Sequence, residues 1–313
     1  MVRSLRPLTA HLVVALVALV AIGGATRVME AGLACPDWPL CYGTLLPGRE
    51  MNLQVFLEWF HRLDAFLVGV ALLVLFGLSL GFRRSLPGWL PWASGGALSL
   101  VAVQGGLGAL TVIQLLASST VTAHLVTALT LVGLVSATHQ ALEMWLESPR
   151  PTRAQSIPSG PSAASLPGWW LPVVILTALA VLSQCLLGGT MASQWAAERC
   201  LASGQECSWL LFHRYGSWAA ASFTFLMGGL SLLLPGTHRK LRWFALLAPL
   251  LVAAQITLGI LTLRLELTVP AITVAHQLGA ALLIALIGAV LGRSLSPAAL
   301  FPRITLPLKA RHG

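Results

Sequence analysis

The stretch FLEWFHRLDAFLVGVALLVLFG, residues 56–77, decides the fold. Glu58, His61, Arg62 and Asp64 crowd its first half, and the remainder is nearly pure hydrocarbon. An ionisable group at the centre of a membrane-spanning helix costs about 2.5–3.5 kcal/mol on insertion scales, so four near one mouth of such a helix imply a task. The rest of the chain is built the same way. Of its 313 residues 57% are hydrophobic and 9% charged, too few polar residues to cover a water-soluble globule. Two tyrosines, long Leu/Val/Ala runs and no alternating ten-residue strands favour helices over a barrel. The expected fold is an all-α integral membrane protein. Eight segments, near 9–28, 62–82, 90–112, 121–146, 169–191, 212–234, 243–263 and 270–292, have the length and apolarity to cross a hydrocarbon layer of about 30 Å.

The formal charge of +9 is distributed by side. With eight spans both termini share one face, and the loops around Arg83, Arg150 and Arg239 join them there. Thirteen of the 19 basic residues, from Arg3 and Arg6 to Lys309 and Arg311, fall on that face, against two of the ten acidic ones, Glu143 and Glu147. The positive-inside rule then puts both termini in the cytoplasm, and the basic balance reports topology, not nucleic-acid binding. Arg3 and Arg6 before an apolar run also suit a signal peptide, but a span leading into a polar loop reads as a retained first helix.

Residues 148–168 (SPRPTRAQSIPSGPSAASLPG) are rich in Pro, Ser and Gly and predict a flexible cytoplasmic linker between two halves, 1–147 and 169–313. The halves are related. FHRLDAF is answered by FHRYGSW, and VTAHLVTALTLVGLV by ITVAHQLGAALLIAL. His61 to His213 and His124 to His276 are each 152 residues, so both halves space a histidine pair by 63. QGGLGALT from Gln104 and QITLGILT from Gln255 echo this one residue out of step. A repeat with an even number of spans predicts two four-helix bundles side by side, related by a pseudo-twofold axis along the membrane normal.

Paired imidazoles from facing helices are suited to holding a haem edge-on in a bundle core. A lone membrane histidine more often just bonds a neighbouring helix, but four at repeated positions favour ligation. His11, His139, His238 and His312 have no such repeat. Arg62 and Arg214 follow the ligand candidates at headgroup level, where they would either clamp haem propionates or snorkel. Glu58 breaks the symmetry, since position 210 is leucine. An acid needed for ligation should recur, whereas one needed for a reaction occurs once; the alternative is an i, i+4 ion pair with Arg62. Asp64 also lacks an acidic counterpart, position 216 being glycine, and reads equally well as a helix-mouth charge. Cys35 and Cys41 (CPDWPLC) and Cys200 and Cys207 (CLASGQEC) fall in loops on the oxidising side and suit either disulfides or redox-active dithiols. Neither spacing fits a zinc ribbon or CxxCH haem attachment, and Cys185 reads as a packing residue. Gly105, Gly106, Gly108 and Gly259 would allow either a macrocycle or a helix to approach closely.

In order, GLACPDWPLCYG, EWFHR, QGGLGALTV, TAHL, the second FHR, LGILT and AHQLGAALL resemble the haem A synthase family, in its subgroup with cysteine pairs in the outer loops. The resemblance spans residues 20–292. It implies an eight-helix enzyme of the plasma (inner) membrane that oxidises a ring methyl of haem O, through a hydroxymethyl stage, to the formyl group of haem A for terminal oxidases. It implies a b-type haem on His213 and His276 and substrate haem O between His61 and His124. The EXXHR glutamate matches Glu58, and the family's cysteines match Cys35, Cys41, Cys200 and Cys207, although QWAAERCLASGQEC departs from the first loop. A haem O synthase, an electron donor and a second copy of the chain are the partners to expect beside the bilayer. A two-haem b-type electron carrier would explain the histidines but not a single Glu58; a transporter would interrupt its helices; a thiol oxidoreductase would leave the histidines idle.

Overall fold

A computed structural model describes residues 4–147, 165–192 and 208–295. Eight long helices make up the described residues: α1 (Leu5–Val28), α2 (Leu53–Gly81), α3 (Leu90–Ile113), α4 (Ser118–Glu147), α5 (Trp170–Ala192), α6 (Ser208–Ser231), α7 (Arg239–Arg264) and α8 (Pro270–Ser294). Seven of them are long and apolar enough to cross a membrane, which makes this a multi-pass membrane protein. The eighth expected segment is present as the 24-residue helix α6, which is not among the seven. His213, Arg214, Tyr215, Gly216 and Ser217 lie in its first half and dilute its apolarity. Most of the predicted linker, 148–164, lies outside the described residues.

A correction concerns α2, which begins at Leu53 and not near residue 62. Asn52 is the reason: its side-chain oxygen accepts the Val55 N–H at 3.0 Å and caps one of the free donors of the first turn. Glu58, His61 and Arg62 therefore lie inside the helix, with fixed angular relations.

Packing closes two rings. α1 packs on α2 and α4 while α3 packs on α2 and α4; α5 packs on α6 and α8 while α7 packs on α6 and α8. The rings meet through α1 on α8, α4 on α5 and, most extensively, α4 on α8. The last contact brings backbones together: a Cβ on Gly288 would collide with the Gly133 carbonyl, and one on Gly292 with the Ala137 carbonyl. Ser136 Oγ donates to the Ala285 carbonyl at 2.6 Å across the same seam. Two tetrad patterns, Gly133/Ala137 and Gly288/Gly292, put small residues on one face of each helix, which lets dispersion and short polar contacts replace the hydrophobic drive that lipid cannot supply. The outward faces carry Phe66, Leu67, Leu73, Val103 and Leu250, exposed to the position of lipid.

α1, α3 and α7 end alike. Ala31, Leu116 and Leu267 each donate to the threonine carbonyl five residues earlier, Thr26, Thr111 and Thr262, at 2.8, 2.8 and 3.1 Å. Glu30, Leu115, Leu116, Glu266 and Leu267 take φ between 48° and 62° to make these closures. At the opposite end, Arg6 pairs with Glu143, and Lys240 and Arg293 pair with Glu147, drawing α1, α7 and α8 onto α4.

Gly292→Leu should force α4 and α8 apart and cost at least the upper part of the 1–3 kcal/mol typical of overpacking. Gly229 has open space where its Cβ would stand, so Gly229→Ala should be neutral or stabilising by helix propensity. Denaturation in mixed micelles separates the two, and equal midpoints would refute the central seam.

Candidate functional site

The loop between α1 and α2 is a built object. Cys35 and Cys41 form a disulfide, and both are buried. Asp37 sits inside the ring this closes, its Oδ1 accepting the Tyr42 N–H at 2.6 Å and its Oδ2 the Gly43 N–H at 2.8 Å. Both donors lie on left-handed residues, φ 55° and 70°, which aim their N–H groups inward. The Gly43 N–H above all, helped by Tyr42 and the Arg62 charge, holds the exposed Asp37 carboxyl below the usual carboxylate range. Trp59 Nε1 donates to the Leu45 carbonyl at 2.7 Å and fastens the far side of the loop to α2.

Arg62 joins loop to helix. Its guanidinium donates to the carbonyls of Asp37 (2.6 Å), Leu40 (2.5 Å) and Cys35 (3.3 Å) and to Glu58 Oε1 (2.5 Å). Glu58, only 4% exposed, uses its other oxygen to accept the Cys35 N–H at 2.8 Å. The i, i+4 ion pair that the sequence left open is therefore formed, and it is part of a larger clamp. Charge-assisted bonds of this kind are about twice as strong as neutral ones, and the planar fork is what allows one side chain to reach four acceptors.

Each ring of helices holds one imidazole pair. His61 of α2 and His124 of α4 have ring centres 6.5 Å apart with planes at 74°; His213 of α6 and His276 of α8 are also 6.5 Å apart, at 89°. Nδ1 of His61, His124 and His276 is buried without a hydrogen-bond partner. Gln104 Nε2 donates to the His124 carbonyl at 2.9 Å and Gln255 Nε2 to that of His276 at 2.8 Å, so each glutamine bears on the backbone and leaves the ring alone. Glycines roof the rings: a Cβ on Gly23 would stand 3.0 Å from His61 Cε1, on Gly188 2.8 Å from His213, and on Gly259 3.2 Å from His276.

The pairs fit a planar metal macrocycle. Two metal–imidazole bonds of about 2 Å each span most of the 6.5 Å, and the two half-rings span the rest. No three His, Cys, Asp or Glu side chains converge among the described residues, so the remaining ligands would have to come with the metal, as they do in haem.

Of the sequence candidates, Cys35, Cys41, Glu58 and Arg62 come together, and each histidine meets its expected partner. Arg214 is exposed, and Cys200 and Cys207 lie outside the described residues. Gly105 and Gly106 face open space, whereas Gly108 and Gly259 rest on histidine rings. Sequence reasoning missed Gly23, Gly188 and Gln184; the echo of IGG at 22–24 in LGG at 187–189 was the available signal.

The family model described as cytochrome oxidase assembly protein, COX15-CtaA, matches residues 7–287. The chain belongs to this family. It is 30% identical over 334 aligned positions to "Heme A synthase" of Sphingopyxis alaskensis, covering 88% of this chain and 87% of that protein. It is 30% identical over 200 residues to "Heme A synthase" of Shewanella oneidensis, covering 59% and 56%, so the chain spans about half of that relative's length. A third relative, "Heme A synthase" of Bradyrhizobium diazoefficiens, is 35% identical over 131 residues, covering 31% and 34%.

Two predictions follow from the clamp. Arg62→Met removes four donated bonds and strands a buried carboxylate, at about 3–5 kcal/mol, and Arg62→Lys recovers little because a point charge cannot reach all four acceptors. Both should hasten reduction of the Cys35–Cys41 bond by added dithiothreitol; an unchanged rate would detach Arg62 from the loop. A carboxyl whose pKa is lowered by folding stabilises the loop above its unfolded value and loses that effect as pH falls through its folded one. Protection of the 35–44 amides from hydrogen exchange, corrected for intrinsic rate, should therefore hold across neutral pH and fall only below about pH 4.

Proposed function

We infer that the chain is a haem A synthase, oxidising a ring methyl of haem O to a formyl group for terminal oxidases. The observation that carries this, beside the family match, is the pair of facing imidazoles in each ring next to a carboxylate present in only one. His61 and His124 hold the substrate haem, and His213 and His276 hold haem b. Haem b held by His213 and His276 would supply electron transfer.

The chain's own groups do the rest. Converting methyl to formyl adds one oxygen atom and removes two pairs of electrons, which at the oxidation level of water balances as R–CH3 + H2O → R–CHO + 4 H+ + 4 e−, the electrons passing to an external oxidant and the protons leaving from the reacting carbon and the added oxygen. Glu58 is the proton acceptor there, and its carboxylate also favours positive charge developing beside it. Arg62 orients Glu58, since the fork that binds Oε1 is itself fixed by three loop carbonyls. For the propionates, Arg62 belongs to the substrate haem and Arg214 to haem b; Arg214 is exposed, whereas Arg62 is already engaged by the clamp. The loop and its disulfide exclude water from the mouth of the first site.

Both termini are cytoplasmic in this reading and the Cys35–Cys41 loop faces the oxidising side, with α6 as the eighth span and Cys200 and Cys207 as a second outer pair. The two rings are copies about a pseudo-twofold axis. Support comes from equal ring separations and from glycine neighbours: Gly24 of α1 meets Gln277 of α8, and Gly189 of α5 meets Leu125 of α4, Leu125 and Gln277 being 152 residues apart. The haem O synthase and an electron donor are the partners such chemistry requires.

The equal 6.5 Å separations also suit a two-haem electron carrier. Extraction and chromatography of haems from protein expressed with and without a source of haem O decide between the two. Haem B alone without it, joined by haem A when it is supplied, establishes the synthase; two equivalents of unaltered haem B in both cases establish the carrier. His213→Ala or His276→Ala should abolish the retained low-spin spectrum, and Glu58→Gln should keep that spectrum while stopping product.

A further inference from the structure

The two imidazole pairs differ in one contact. Gln184 of α5 places its amide nitrogen 2.9 Å from His213 Nδ1 and donates to the His213 carbonyl at 2.8 Å. None of the other three rings has a partner at Nδ1. Gln184 lies one turn before Gly188, which roofs His213; the residue one turn before Gly23, which roofs His61, is Leu19. Room for the amide is made from the other side as well. A Cβ on Gly216 would stand 2.5 Å from Gln184 Oε1, and 152 residues earlier that position is Asp64.

An amide nitrogen can only donate, so the observed contact makes Nδ1 an acceptor and leaves the ring proton on Nε2. A ring that binds iron through Nε2 carries its proton on Nδ1 instead, and then needs an acceptor there. Gln184 Oε1 is that acceptor. It is buried, belongs to the same amide and has no partner. A half-turn of the amide exchanges donor for acceptor at Nδ1, at the cost of the bond from the same nitrogen to the His213 carbonyl.

Resting on the assignment of haem b to His213 and His276, we propose that Gln184 is the positioning residue that makes the second site retain its haem: with Nε2 of His213 on iron, the Gln184 amide oxygen accepts from Nδ1. The first site, with leucine in that place, holds its haem by bare imidazoles and can release a product. One hydrogen bond to a ligand imidazole is typically worth 10–100-fold in metal affinity, enough to separate a cofactor from a substrate.

The test uses full-length protein loaded with haem B, comparing wild type with Gln184→Met, which keeps the volume and loses the acceptor, and Gln184→Glu, which keeps an oxygen in place. Two quantities are read: the rate of haem transfer to an acceptor apoprotein and the midpoint potential of the low-spin haem. Gln184→Met should release haem about 10–100-fold faster and raise the potential, because a less basic imidazole stabilises the oxidised iron less. Gln184→Glu should release haem no faster than wild type, with a potential no higher. Wild-type behaviour of Gln184→Met on both measures, or equal impairment of the two variants, overturns the proposal. Retention of the low-spin haem by His213→Ala would instead overturn the ligand assignment beneath it.

Discussion

The approach of α4 to α8 constrains everything else. Each of these helices carries the distal histidine of its own ring, His124 or His276, and the two touch through glycine and carbonyl where no side chain intervenes. In lipid the apolar surfaces of the rings gain nothing by hiding from solvent, so the halves are joined by the atoms that can come closest. Ser136 adds a hydrogen bond at the seam, and Glu143 and Glu147 on α4 gather cations from three neighbours at its end. A shift of α4 against α8 would change the distance between both histidine pairs at once. The outer helices can vary more freely, which is why the polar first half of α6 is tolerated.

From that seam the first ring gains its chemistry through the loop. Glu58 would be a costly buried charge on a bare helix. It is satisfied instead by one backbone N–H of Cys35 and by Arg62, and Arg62 is in turn satisfied by carbonyls that only the folded loop can present. The disulfide and the Asp37 turn keep those carbonyls convergent. The unrepeated Glu58 carboxylate and the built loop of the first half are thus one feature. Leucine at position 210 removes the acid from the second half, while the arginine is kept there as Arg214.

Much of this was legible in the sequence, and the reasons for the rest are physical. The 152-residue repeat exposed the histidine pairs because a repeat constrains spacing without regard to detail. The Arg62 clamp was harder to read, since its acceptors are backbone carbonyls, which have no signature; only the charge pair with Glu58 showed. The start of α2 was misplaced because hydropathy marks where a helix becomes apolar, whereas Asn52 marks where it begins. Leu115 and Leu116 give no hint of a left-handed turn, and their likeness to Glu266 and Leu267 appears only in the backbone. The one-residue slip between Gln104 and Gln255 has its explanation there: one residue, Ala117, separates that turn from α4, and two, Thr268 and Val269, separate its counterpart from α8.

On the proposed function, two similar sites must still be unequal, because one haem would leave as product while the other would stay. Metal–ligand chemistry cannot provide the difference, since both sites offer two imidazoles at the same separation. The difference has to lie in what surrounds the rings. On the side of His61 stand an acid, an arginine and a disulfide loop joined in one clamp. Around His213 stands an amide from a neighbouring helix, fitted against a glycine that makes space for it. The same backbone therefore presents reactivity on one side and fixation on the other, and a handful of substitutions between the repeats is sufficient to divide the labour.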